Sequence, residues 1–218
     1  MSRKDSISRI FFNAGLAISN GRSDPIIAPA LAGYGFDDGR FQAGADLLAQ
    51  ARALHDAQIS AYAAQVGATA ALNQAWQAAD RTYAQHRQLA KLALGKTGGH
   101  GAAILLHERR KLPLNGWLVQ AGVFYSNALG SPEILAALAQ YNLTGDDLAA
   151  GETAVAHIQD LEAAQERAKS IAQHATRRRD AALDALVAWL GEPRTLARLA
   201  LTGPNAQLLE SLGFGVVA

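Results

Sequence analysis

The chain has no cysteine among its 218 residues. That excludes disulfides, thiolate metal sites and a cysteine nucleophile, while leaving the redox compartment open. Aromatic residues make up only 6% of it, and β-branched residues are sparse, so a sheet core would be poorly supplied. Neither sign of charge prevails. Twenty Lys and Arg stand against nineteen Asp and Glu, a net charge of +1, which gives no global field to draw the chain to nucleic acid or to an acidic membrane. No apolar run is long enough to span a bilayer. The basic start followed by Ile10–Ile18 has the outline of a signal peptide, but the run is short, is broken by Asn13, and leads into a poor cleavage site. The expectation is a cytoplasmic bacterial protein with no membrane contact.

What is abundant is alanine, about a fifth of the chain. With half of all residues apolar, the composition favours helix. The strongest pattern is internal. Residues 24–94 align with 131–201 at a constant offset of 107, without a gap, and 23 of the 71 aligned positions are identical. Eleven of those are alanine, so several are chance. Pro25/Pro132, Tyr34/Tyr141, Gly44/Gly151, Gln58/Gln165, Thr69/Thr176 and Arg87/Arg194 are harder to dismiss. The alignment points to an old duplication.

Each copy reads as a short helix, a tyrosine corner and a long helix. Asp24-Pro25 and Ser131-Pro132 are start signals for the short helices. These end near Gly33-Tyr34-Gly35 and Gln140-Tyr141-Asn142. Asp37-Asp38 and Thr144-Gly145-Asp146-Asp147 start the long ones. The second long helix is expected from Leu148 to Leu190, ending at Gly191-Glu192-Pro193, with a short helix over 194–201. The first could run from Phe36 to Leu94 with a bend near Gly67. A stripe of apolar and small residues follows both, including Phe41, Gly44, Leu48, Ala51 and Leu54 in one copy and Leu148, Gly151, Val155, Ile158 and Leu161 in the other. Small residues at mid-stripe suit two antiparallel helices packed closely.

The expected fold is all-α: an internally duplicated protein with two long antiparallel helices, a coiled-coil-like hairpin, plus short flanking helices. Its parts are an N-terminal segment 1–23, repeat 24–94, a glycine-rich loop and linking helices 95–130, repeat 131–201, and a tail helix within 202–218, together one domain. The linking helices are expected over 103–111 and 117–129, after a flexible loop at 95–101.

Candidate sites are few. The Gly95-Lys96-Thr97 triplet is not a phosphate loop, because position 90 is alanine and a helix precedes it. The six histidines form neither a Glu-x-x-His nor a His-x₃-His pair, so no metal is expected, and no cofactor. Gln58 and Gln165 fall on the stripe, either as a polar pair fixing register or at its wet edge. Gly44 and Gly151 are candidate packing positions, since an interior helical glycine costs about 1 kcal/mol relative to alanine. A contact from a short helix or its tyrosine corner is expected at each. Tyr34 and Tyr141 are expected to pack beneath the long helices. Trp76, Trp117 and Trp189 read as core or interface. Arg177-Arg178-Arg179 is a mostly solvated basic run that could touch an anion or nucleic acid, although nucleic acid is not the expected partner.

No catalytic motif is present. The leading expectation is a non-enzymatic interaction or structural module, homodimeric through apolar surface that the flanking helices leave uncovered. The alternative is a small-molecule-binding bundle, with or without catalysis, whose pocket is lined by Trp or Tyr and one or two histidines. The third is an anionic-surface or nucleic-acid binder acting through the arginine run.

Overall fold

A computed structural model describes residues 3–96 and 98–215, with side chains from residue 7 onward. Thr97 of the Gly-Lys-Thr triplet, the first two residues and the last three lie outside the described residues. The fold is all-α. Two long helices, α3 (Asp38–Leu94) and α7 (Gly145–Ala200), pack antiparallel. Around them are α1 (Arg3–Ser23), α2 (Ile27–Ala32), α4 (Gly99–Ala103), α5 (Leu114–Leu129), α6 (Pro132–Ala139), a 3₁₀ turn (Gly203–Asn205) and α8 (Leu208–Ser211). The chain divides into two compact units. No helix among the described residues is long and apolar enough to cross a membrane.

Unit one comprises Met1–Tyr62 and Ser170–Ala218. Its core joins α1, α2, the start of α3, the end of α7 and the tail, through residues such as Ile27, Leu31, Phe36, Phe41, Leu186 and Phe214. The N-terminal segment, to which the sequence reading assigned no element, is the helix α1. Ile7, Ala14, Ala17, Ile18 and Gly21 are buried along one face of it, and Ile10 and Phe11 are half-buried. That is the three-and-four spacing of an amphipathic helix.

Unit two is Ala63–Lys169. It holds the end of α3, then α4, α5 and α6, and the start of α7. Its core is more aromatic. Tyr83, Trp117, Phe124 and Tyr125 are all essentially buried, and the Tyr83 ring meets the other three at centroid distances of 5.4–6.0 Å.

The two corners are built alike. In unit one the amides of Tyr34, Gly35 and Phe36 donate to the carbonyls of Leu31, Ala32 and Leu31; in unit two those of Tyr141, Asn142 and Leu143 donate to Leu138, Ala139 and Leu138. Gly35 and Asn142 both take positive φ, the left-handed turn that ends a helix. Phe36 and Leu143 then plug the corner, 1% and 2% exposed. The tyrosines do not. Tyr34 and Tyr141 are 54% and 42% exposed, so the expected packing beneath the long helices is absent. The apolar residue two positions later takes that place, because the turn directs it inward.

Start signals act as the sequence implies. Asp24 accepts from the amides of Ile26 and Ile27, and Ser131 from that of Ile134. Asp37 accepts from the Arg40 amide. Thr144 and Asp147 cap α7 reciprocally: the Asp147 amide donates to the Thr144 hydroxyl, and the Thr144 amide and hydroxyl donate to the Asp147 carboxylate.

Two boundaries differ from expectation. α7 does not stop at Gly191-Glu192-Pro193 but continues to Ala200 with Pro193 inside it. An interior proline costs about 3 kcal/mol. Leu190, Ala197 and Leu201, on both sides of it, are buried in the unit-one core, and burying each leucine contributes about 1.5–3 kcal/mol, which outweighs that cost. The first long helix does reach Leu94, running through Gly67 as the sequence allowed. The segment 103–111 is not a helix. α4 begins inside the glycine-rich stretch and ends at Ala103, Leu105 has positive φ, and the Leu106 amide bonds back to the Gly101 carbonyl. The same closure follows α8: Gly213 has positive φ and the Phe214 amide bonds to the Leu209 carbonyl.

Candidate functional site

The residues singled out from sequence do not converge. Gly44 is faced by the Trp189 indole and Gly151 by the Tyr125 ring, each so closely that a Cβ would collide. The partners are thus an α7 tryptophan and an α5 tyrosine, not the short helices or tyrosine corners. The Gln58 side-chain oxygen accepts from Arg179, and Gln165 is half-buried. In the arginine run, Arg177 and Arg178 are exposed, but Arg179 is buried and held by Asp180 and Gln58. Among the described residues no three His, Cys, Asp or Glu side chains gather to hold a metal ion.

Unit two contains something the sequence reading did not locate. A half-open groove of about 420 Å³ lies between α3 and α7, within the range of small-molecule sites. Its walls are small: Ala75, Ala78 and Ala79 on α3, and Ala150, Gly151 and Ala154 on α7. Trp117 and Tyr125 of α5 supply aromatic lining, and Thr82, His86, Asp147 and His157 supply polar groups.

The aromatic lining is held rigidly. The Trp117 indole N–H donates to Asp80 at 2.8 Å, and Asp80 also pairs with Arg110. Gln120 on the same helix pins the irregular stretch before α5, accepting from the Lys111 amide and donating to the Arg109 carbonyl. Arg87, only 3% exposed, donates to the carbonyls of Leu105, Leu106 and Glu108 and to the Tyr83 hydroxyl. Its two terminal nitrogens are satisfied by these oxygens, which is what a buried guanidinium requires.

The Tyr125 hydroxyl and His86 Nδ1 are 3.2 Å apart. Burial lowers the His86 pKa, partly offset by the nearby Asp147 carboxylate, so the neutral imidazole is favoured. Burial, with Tyr83 adding to it, pushes the Tyr125 hydroxyl well above the usual phenol range. Tyr125 therefore stays protonated and His86 neutral, which suits hydrogen bonding rather than charge pairing. Asp147 is held ionised by the Thr144 hydroxyl and amide. Among the described residues that line the groove it is the acidic one.

Comparisons of this chain with protein-family models, with curated protein sequences and with solved structures find no match.

Proposed function

We propose that this chain is a small-molecule-binding helical protein made of two copies of one helical design, with the ligand seated in the groove of unit two. The observation that carries this reading is the groove itself. Close-packed alanine walls, a rigid Trp117–Tyr125 lining and a few convergent polar groups are what ligand sites combine. The proposed duplication gains support from the matched corners and caps, and from the paired stripe residues, which are buried or half-buried in both copies.

A thermal-shift screen of small polar and aromatic fragments tests the reading, comparing the native chain with Ala154→Leu. Position 154 aligns with Leu47 in the first copy, so leucine is already accommodated by the design. Fragments that stabilise the native chain should lose their effect in the variant. Fragments that stabilise both equally would place binding elsewhere and overturn the proposal.

A second reading, homodimerisation, rests on Ile59, Tyr62 and Val66. These lie on one face of α3 at helical spacing, and each is more than half exposed. The aligned residues of the second copy are Glu166, Lys169 and Gln173, so this apolar face belongs to one copy only. Sedimentation equilibrium at micromolar concentration should give a dimer mass that Tyr62→Lys reduces to the monomer; a monomer mass for the native chain contradicts it.

A further inference from the structure

Two residues singled out from the sequence, Gln58 and Arg179, meet at a second cavity. It measures about 740 Å³ and is lined entirely by residues of unit one. Its inner lining is polar. Arg179 is only 9% exposed. Its Nη1 donates to the Gln58 side-chain oxygen at 3.0 Å, and its Nε and Nη2 donate to one oxygen of Asp180 at 3.0 and 2.6 Å. A guanidinium has five N–H donors and no acceptor. Asp180 holds the Nε side, so each terminal nitrogen keeps one hydrogen without a partner among the described residues. The Gln58 oxygen is engaged by Arg179, and its amide N–H₂ has no partner among them either. The outer lining is apolar: Ile59 and Tyr62 are both more than half exposed, with Ile7 buried behind.

A buried charge and an exposed apolar patch are each informative, and here they adjoin. The aligned positions of unit two have the reverse. At the offset of 107, Arg179 corresponds to Leu72, which is buried in the unit-two core. Ile59 and Tyr62 correspond to Glu166 and Lys169, an exposed ion pair. Polarity is thus inverted at the one set of positions that surrounds the cavity. We infer that this cavity binds an amphipathic monocarboxylate, with its apolar body against Ile59 and Tyr62 and its carboxylate at Arg179 and Gln58. The available groups of Arg179 and Gln58 are donors, which call for an acceptor, and a carboxylate makes the stronger, charge-assisted bonds with a guanidinium. The other polar lining groups, Ser8, His55 and Thr176, bring no negative charge to oppose it. The site uses none of the groove residues of unit two.

Isothermal titration of the full chain with octanoate, 1-octanol and octylammonium tests this. Octanoate should bind with one-to-one stoichiometry. Octanol should bind roughly tenfold more weakly, because it lacks the charge-assisted bonds, and octylammonium should not bind. Arg179→Leu, which installs the residue of the other copy, should reduce the octanoate affinity to that of octanol and leave the octanol affinity nearly unchanged; a merely structural role for Arg179 would not separate the two. If that variant does not fold, Ile59→Glu, at an exposed position where the other copy carries glutamate, should abolish octanoate binding at an unchanged melting temperature. Ala154→Leu, in the unit-two groove, should leave octanoate binding intact. Octanoate binding no tighter than that of octanol, or unaffected by both Arg179→Leu and Ile59→Glu, would overturn the inference. So would its loss in Ala154→Leu, or a dimer mass in sedimentation that saturating octanoate does not reduce, since a second copy would then cover this face.

Discussion

Gly44 and Gly151 show how little room separates an adequate packing from a strained one. Each sits on a long helix with an aromatic ring where a methyl group would go. Alanine would gain about 1 kcal/mol in helix propensity. Displacing a packed indole or phenol ring costs about 1–3 kcal/mol, so the clash should win. Gly44→Ala and Gly151→Ala should each lower the melting temperature. A rise in either would show that the ring moves aside freely. These glycines were legible in the sequence because both copies keep them, and retention of a costly residue has a physical reason. Thr82, His86, Tyr125 and Asp147 were not legible by the same means, since matching the copies for identity discards the positions where they differ. Reading the same alignment for its differences places Thr82 opposite Trp189 and His86 opposite Pro193. An exchange of large for small and of apolar for polar at aligned core positions is the signal that was available.

At the scale of elements, the caps were readable and the stops were not. Asp24, Ser131, Asp37 and Thr144 all bond the first-turn amides that their residue types suggest, because N-cap chemistry is local. Pro193 failed as a stop signal because the residues beyond it are needed in the core, and tertiary burial is not local. That account makes a prediction. Pro193→Ala restores a helical amide worth about 3 kcal/mol in propensity and removes two ring methylenes worth about 0.8 kcal/mol each in burial. The variant should be more stable by about 1 kcal/mol, read as an upward shift in the chemical-denaturation midpoint. A loss of stability would mean that the proline ring is a packing element in its own right. The helix expected over 103–111 fails for a related reason: its carbonyls are claimed by the Arg87 side chain and by the closing turn at Leu105, neither of which periodicity can reveal.

For the whole molecule, composition and the stripe were enough to give an all-α chain with two long antiparallel helices. The internal offset anticipated corners that share the same hydrogen bonds. What it could not anticipate is the groove of unit two. Each of the two glycines is covered by an aromatic ring, Trp189 over Gly44 and Tyr125 over Gly151, and the groove of unit two lies beside the second of these. A small molecule seated in that groove is the central claim, and a crystal structure of the native chain grown with a fragment that stabilises it tests this most directly. The account predicts fragment density in unit two, in the groove lined by Ala79, Thr82, Tyr125 and Ala154. Fragment density confined to other surfaces, with the unit-two groove empty or closed by its own side chains, would contradict it.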